Sequence, residues 1–312
     1  MWKAVVNSGA HAGSAVAIKI IDLDQYPDNS IDEIRKEIAI MSTCSHANMI
    51  SYYTSFTDAS EIWLVMPIVD AGSIHDIMKK QYRKGLKDEV ALATILREAL
   101  KGLAYFHESG EIHRDIKAGN LLINREGEVF IGDFGVAAHI KKGQKRKTFV
   151  GSPCWMAPEV VEQTGHDWSA DIWSLGITAL EIAEGEVPYQ GMTAMKIILS
   201  IMNSQPPTLN KHENWEKTFR EFVGMCLQKD PTKRATADAL LKSKFIAKAK
   251  DAAYLKQHFL DGLENLEKRI DPGILKLGEQ FLEKRKSGGK KKKKAKKEAP
   301  QWNFGSGDYK KD

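Results

Sequence analysis

Cysteine is scarce in this chain. Cys44, Cys154 and Cys226 are the only three in 312 residues, and they lie far apart. An odd count with no Cys-x-x-Cys pair offers neither a disulfide framework nor a structural zinc site, and it predicts a reducing, intracellular setting. Long apolar runs are missing too: no window approaches the roughly 18 apolar residues of a membrane span. Met1 to Gly13 has neither a basic start nor an apolar stretch, so no secretory leader is expected there. A general basic excess is also absent. The formal charge is +5, but Glu283 to Glu298 holds ten Lys/Arg against two Glu, a net +8, which leaves −3 for the remainder. Nucleic acid, the ordinary partner of a basic chain, is therefore not the expected one.

What the chain does have is enough apolar material to fold. It is 42% hydrophobic and 28% charged, outside the disordered class. Trp2–Asn7 and Ala15–Asp22 are Val/Ile-rich and read as strands around a turn-like Ser8–Gly13 segment. Asp28–Met41 reads as a helix capped by Asn29 or Ser30, with Ile31, Ile34, Ile38 and Met41 on one face. Met49–Phe56 and Glu61–Met66 read as a second strand pair, and Pro67 breaks the strand pattern. From Ser73 onward the pattern is helical: Glu89–Ser109, Ala170–Ala183, Ala194–Met202, Trp215–Leu227 and Ala235–Leu241. A small β-rich lobe followed by a larger helical one is the reading, with no internal repeat. The loop-rich stretch Ile112–Glu162 carries most of the distinctive residues.

Those residues form an ordered series. Val16-Ala17-Ile18-Lys19 ends a strand, and Glu37 lies on the next helix. His113-Arg114-Asp115-Ile116-Lys117-Ala118-Gly119-Asn120 follows the long helix. Asp133-Phe134-Gly135 comes after a short apolar strand, and Ala157-Pro158-Glu159 closes the segment. Each is a weak signal alone; five in this order are a strong one. The residue types suit chemistry on a nucleoside triphosphate, where positioning and charge neutralisation dominate. Lys19 supplies a positive charge for the α/β-phosphates, with Glu37 to steady its long stem. Asn120 and Asp133 offer hard oxygens for Mg2+. Asp115 can orient a hydroxyl and accept its proton, and Lys117 can reach the transferring γ-phosphoryl group.

In these motifs the sequence resembles the eukaryotic protein kinases over roughly Met1 to Phe245. Lys117, with Gly151-Ser152-Pro153 ahead of Ala157-Pro158-Glu159, is similar to the serine/threonine branch. Ile95–Leu103, Asp115–Asn120 and Lys147–Glu159 resemble the sterile-20-like kinases, most of all the SPAK/Fray (oxidative-stress-responsive) group. The resemblance implies an α+β, bilobal fold: N-lobe 1–66, hinge 67–72, C-lobe 73–247, helical extension 248–282 and basic tail 283–312. It implies ATP and Mg2+ as cofactors and protein Ser/Thr side chains as substrates, in a stress or osmotic type of signalling. It makes Met66 the gatekeeper, Pro67 and Val69 the hinge groups that meet adenine, and Ala17 and Leu122 the residues that sandwich it. Pro67 suffices there because only its carbonyl is needed. The resemblance also makes Asp171 a brace of the catalytic loop, Arg234 the partner of Glu159, and His113 a structural residue packed on Phe134. Thr148 becomes the site an upstream kinase phosphorylates: a phosphate adds about −1.5 to −2 charges and would pair with Arg114. Ser152 becomes the hydroxyl that holds Asp115 and Lys117.

One family feature is missing. No Gly-rich loop precedes Val16-Ala17-Ile18-Lys19, and Met1-Trp2-Lys3-Ala4 aligns with the residues just after that loop. Truncation at the N-terminus is the expectation; a pseudokinase or scaffold that binds nucleotide weakly is the alternative. Farther on, Leu255, Phe259, Leu263 and Leu266 recur at helical spacing within Tyr254–Leu282, as a packing helix or a regulatory segment. Cys154 is expected to be a semi-buried thiol. The Lys-rich tail reads as solvated chain, with Lys284-Arg285-Lys286 and Lys290–Lys297 as a bipartite-like address for an import receptor or as a contact for an acidic surface. The expected location is cytoplasmic, with a nuclear option through this tail. Trp302-Asn303-Phe304 and Ser306 resemble a short regulatory motif of the same kinase group.

Overall fold

The computed structural model describes residues 1–8, 11–25, 31–133, 138–139, 152–210 and 214–269; for 31–33, 35–37, 138–139 and 267 it describes the backbone alone. Strands β1 (Trp2–Val5), β2 (Ala15–Asp22), β3 (Thr54–Asp58) and β4 (Glu61–Pro67) form an antiparallel sheet in the order β1-β2-β4-β3. Pro67 ends β4 and pairs with Val16. The side-chain period of two then fixes what the sheet presents. Ala17 lies opposite Met66, Lys19 opposite Leu64 and Ile21 opposite Ile62, so all six share one face. That face is apolar, with Ile62, Leu64 and Met66 buried, and Lys19 is the cation that emerges from it. Helix α1 (Ile31–Thr43) buries Ile34, Ile38 and Met41 along one stripe.

The β-rich reading of Met49–Phe56 holds only in its second half. Met49 makes an isolated parallel bridge to Ile131, and the Ile50 N–H donates to the Ile131 carbonyl at 3.0 Å. This stretch is spent on joining the two lobes rather than on extending β3.

The second lobe begins with β5 (Gly72–Ser73) and α2 (Ile74–Gln81), then α3 (Glu89–Glu108). Asp88 caps α3 by accepting from the Val90 and Ala91 amides at 2.9 and 3.0 Å, which satisfies donors that the first helical turn leaves open. The short strands β6 (Glu111–Ile112), β7 (Leu121–Ile123), β8 (Val129–Ile131) and β9 (Ala138–His139) follow. β5-β7-β8 form one small sheet and β6-β9 another. They hold the loop between Ile112 and Leu121 at the mouth of the cleft. Helices α4 (Pro158–Val161), α5 (Ser169–Glu184), α6 (Ala194–Asn203), α7 (Lys217–Cys226) and α8 (Ala237–Leu241) complete the lobe.

Beyond α8 the chain continues into α9 (Ala252–His258) and α10 (Leu266–Arg269). The expected single helix is thus two short ones with a turn between. Leu255, Phe259 and Leu263 are nevertheless all buried, because the turn returns Leu263 to the same apolar surface. Gly135, Thr148, Gly151, the Lys-rich tail, Trp302 and Ser306 lie outside the described residues, as do the helix caps Asn29 and Ser30.

Candidate active site

Three side chains meet in a tight triangle below the sheet. Lys117 Nζ lies 2.6 Å from Asp115 Oδ2 and donates to Ser152 Oγ at 2.9 Å. Ser152 in turn donates to Asp115 Oδ1 at 3.0 Å. Asn120 closes the group: its amide nitrogen donates to Asp115 Oδ2 at 2.9 Å and to the Asp115 carbonyl at 2.7 Å. Both Asp115 oxygens are therefore aimed, and charge-assisted bonds of this kind are the stronger sort. Ser152 is 37 residues from Asp115 in sequence; the fold brings it back to the loop that carries Asp115.

Across the cleft, Lys19 Nζ donates to Asp133 Oδ1 at 2.9 Å. Spacing alone paired Lys19 with Glu37, whose side chain lies outside the described residues. Asp133 is half exposed at 54% and has φ of +57°. Asn120 spends its amide nitrogen on Asp115, which turns its amide oxygen away from that carboxylate. One carboxylate and one amide oxygen are hard, neutral-to-anionic donors that suit Mg2+. Among the described residues no cluster of three or more His, Cys, Asp or Glu is placed to hold a metal, so a cation held here would draw its other ligands from phosphate and water.

The apolar part of the cleft is built by strand register. Ala17 and Met66 face each other across β2 and β4. Leu122 comes from β7, and Ala17, Val69 and Leu122 are half-buried residues packed against the core. Val69 accepts from the Gly72 amide at 3.1 Å, which curls the linking segment after Pro67. Ala17, Met66, Val69 and Leu122 are thus the apolar residues that register and the linking segment supply here.

The loop itself is held from beneath. Asp171, fully buried on α5, accepts from the His113 amide at 2.9 Å, the Arg114 amide at 2.7 Å and His107 Nε2 at 2.9 Å. Burial pushes the Asp171 carboxyl up, but the hydrogen bonds it receives from His107 and from the His113 amide hold the group below its ordinary value. It stays a carboxylate, which is what two backbone donors require. Arg114 sits at φ +69°, a conformation that costs a non-glycine residue about 1–3 kcal/mol, and Asp171 anchors the amide on that residue.

His113 is wholly buried, and burial lowers its pKa, so its ring is neutral. Its Nδ1 accepts from the Asp115 amide at 3.3 Å, so Nε2 carries the hydrogen and donates to the Gly132 carbonyl at 3.2 Å. It ties the loop of Asp115 to the residue before Asp133. The expected packing on Phe134 lies outside the described residues.

Sequence reasoning singled out Asp171 on α5 and missed three companions. Ser174, Thr178 and Glu181 continue from it at spacings of three, four and three residues, one helical stripe. Ser174 donates to the Trp155 carbonyl at 2.8 Å and Thr178 to the Ile116 carbonyl at 3.3 Å. Glu181 accepts from the Ala118 amide at 3.1 Å and from Trp155 Nε1 at 3.0 Å. The helix buries residues on every side, so this polar row is its one interruption. A polar stripe inside an apolar helix was the available signal. His107, also missed, offers no such pattern.

Glu159 and Arg234 form a buried bidentate pair at 2.7 and 3.0 Å. The guanidinium also donates to the Ser169 and Gln228 carbonyls, so the ion is fully bonded, the condition for a buried pair to be tolerated. It pins α4, directly after the Ser152 segment, to the lobe. Cys154 is half buried, and burial followed by the nearby Glu181 charge pushes its thiol up, so it is a poor thiolate.

The model of the protein kinase domain matches residues 3–246. The chain is 47% identical over 258 residues to serine/threonine-protein kinase fray2 of Dictyostelium discoideum, covering 81% of this chain and 25% of that protein. It is 45% identical over 274 residues to germinal center kinase 3 of Caenorhabditis elegans, covering 80% of this chain and 46% of that one. The chain thus spans less than half the length of either relative. With the family match running from β1 to the 3-10 turn after α8, and the cleft built from the motifs that first suggested it, the chain belongs to the protein kinase domain family.

Proposed function

We propose that this chain is a serine/threonine protein kinase that moves the γ-phosphoryl group of Mg·ATP to Ser or Thr hydroxyls of proteins. The observation that carries the reading is the Asp115–Lys117–Ser152 triangle, closed by Asn120, together with the Lys19–Asp133 pair. Adenine would pack against Ala17, Met66, Leu122 and Val69, with the Pro67 and Val69 main chain at its edge. Lys19 leaves Asp133 for the α/β-phosphates or bridges both. Mg2+, held by Asn120 and Asp133, would neutralise phosphate charge.

Asp115 accepts the proton of the incoming hydroxyl as its oxygen bonds to the γ-phosphorus. The bond from that phosphorus to the β–γ bridging oxygen breaks, and ADP leaves with the electron pair. Lys117, already within 2.6 Å of Asp115, supplies positive charge to the equatorial phosphoryl oxygens, an electrostatic term that such transfers depend on. Ser152 holds both groups at the distance that suits a small aliphatic hydroxyl. The proposal extends to phosphorylation of Thr148 by another kinase, to stress or osmotic signalling, and to a nuclear address in Lys290–Lys297. All three rest on sequence resemblance and charge pattern.

The test is radiolabel transfer from ATP to a mixture of Ser, Thr and Tyr peptides. The chain is assayed as it stands and with a Gly-rich strand placed before Met1. Label on Ser and Thr, with none on Tyr, is expected. No label from either form, with Mg·ATP bound, would overturn the enzymatic reading. Deleting Lys290–Lys297 is expected to change cellular distribution and leave activity alone; unchanged distribution removes the address.

A further inference from the structure

The match to the family ends at residue 246, but the core does not. Leu255, Phe259, Leu260 and Leu263 are buried, and the segment from Ala249 to Arg269 is bonded along its length to the large lobe. Arg97 donates to the Ala249 and Lys250 carbonyls, and the Lys250 amide donates to Thr94 Oγ1 at 2.9 Å. Tyr254 Oη donates to Asp88 Oδ2 at 2.9 Å. Tyr82 stacks on Phe259 at 5.2 Å and donates to its carbonyl at 3.0 Å. At the β7–β8 turn a Cβ on Gly127 would meet the Ala252 carbonyl at 2.1 Å, and Gly127 already stands at φ +89°. Backbone lies directly on backbone there.

The segment then reaches the hinge. Arg125, in the same turn, gives its amide to Asp70 Oδ1 at 2.9 Å. Its guanidinium donates to the Leu263 carbonyl at 2.7 Å and to the Glu264 carbonyl. Arg269 donates to the Glu264 carbonyl at 3.1 Å and, from Nη2, to the Ala71 carbonyl. Asp70 and Ala71 are thus both tied to the extension through an arginine. Gly72 lies against it: a Cβ there would come within 3.2 Å of Leu266 Cδ1. Burial and the like charge of Arg125 pull the Arg269 guanidinium below its ordinary value, with Asp76 and Glu264 opposing them. Arg269 gives up solvation to occupy this position. Because the Gly72 amide bonds the Val69 carbonyl, displacement of Ala71 and Gly72 moves the main chain that meets the base.

We infer that residues 249–269 form a strap behind the hinge, and that Arg269 is a positioning residue for the nucleotide-binding edge. The inference rests on the nucleotide-cleft reading above, and it gives the extension a specific role beyond packing. Whatever follows residue 269 then has a mechanical route to the cleft: a partner or modification that pulls the strap away loosens the hinge.

The experiment compares Arg269→Ala, Arg269→Lys and Leu266→Ala in the full chain. Amide hydrogen exchange over residues 70–73 is read first, then ATP KM and kcat on one peptide. Arg269→Ala is expected to raise exchange at Gly72 and KM for ATP by about threefold to tenfold, the net worth of one ordinary hydrogen bond. Saturated kcat is expected to stay within about twofold. Lysine is expected to restore part of the effect, since it can still donate to Ala71. Unchanged exchange over residues 70–73 in folded Arg269→Ala would overturn the strap; if that variant does not fold, Leu266→Ala is held to the same outcome. Exchange needs no catalysis. An inactive chain whose hinge exchange responds to Arg269 removes the enzymatic reading alone, and an active one whose exchange does not respond removes the strap alone.

Discussion

Replacing Asp171 by Asn tests whether the catalytic loop is held by a buried carboxylate. Asp171 Oδ1 receives the Arg114 amide, and Oδ2 receives both the His113 amide and His107 Nε2. An Asn can keep its carbonyl on Arg114. Its amide nitrogen can serve His107 if that ring changes tautomer, but it then faces the His113 N–H donor to donor. One buried N–H is left unsatisfied, at about 1–3 kcal/mol. The other two bonds lose their charge assistance, at about 0.5–1 kcal/mol each. The sum is about 3 kcal/mol, a large part of the roughly 5–15 kcal/mol that holds a folded domain together. The strained φ of +69° at Arg114 then has a route to relax, and Asp115 follows it away from Ser152 and Lys117. A displacement on the order of 1 Å costs about a hundredfold in rate. Urea unfolding read by tryptophan fluorescence gives the stability change, and steady-state peptide phosphorylation gives kcat. A loss under about 1 kcal/mol together with near-normal kcat would refute the reasoning.

Three further outcomes are expected. Ser152→Ala removes the contacts at 2.9 and 3.0 Å to Lys117 and Asp115 and should lower kcat by about tenfold while nucleotide affinity stays unchanged in a binding titration; equal kcat would show that the triangle is incidental. Arg234→Met leaves Glu159 buried without its partner and should cost about 3–5 kcal/mol in chemical denaturation, whereas a neutral result would mean that α4 is held by packing alone. Burial lowers the pKa of His113 and of His166, and neither His166 nitrogen has a hydrogen-bond partner among the described residues. Groups depressed on folding stabilise above their unfolded pKa near 6.5, and that contribution fades as pH falls through the folded values; melting temperature should therefore drop on acidification below that point, less so in His166→Phe, and a wild-type melting temperature that holds steady down the same pH range would contradict it.

Much of the site was legible because its chemistry is local in sequence. Asp115, Lys117 and Asn120 fall within six residues, and residue type alone announces their roles. Register did the rest: once β2 and β4 pair, Ala17, Lys19 and Met66 must share a face. The polar stripe of α5 was legible in principle, because four polar side chains at helical spacing interrupt a run of apolar ones. The strap was not. Arg125 and Arg269 act on carbonyls 138 to 198 residues away, and a main-chain carbonyl carries no residue-type signal. The break between α9 and α10 was missed for a related reason: the apolar period continues across it, since Leu263 in the turn is buried along with Leu255 and Phe259. Met49–Phe56 misled in its first half because Met49 and Ile50 serve a junction between lobes rather than a sheet.

In the proposed reaction Asp115 receives the proton of a Ser or Thr hydroxyl during phosphoryl transfer from ATP. Asp115→Asn keeps the shape of the side chain, and its amide can still meet Ser152, so nucleotide should bind as before. Single-turnover transfer to a Ser peptide, measured for both proteins at saturating Mg·ATP, is the most direct test. A fall of about a hundredfold or more in the transfer rate, at unchanged nucleotide affinity, is the predicted result. Transfer by Asp115→Asn at the wild-type rate would contradict it.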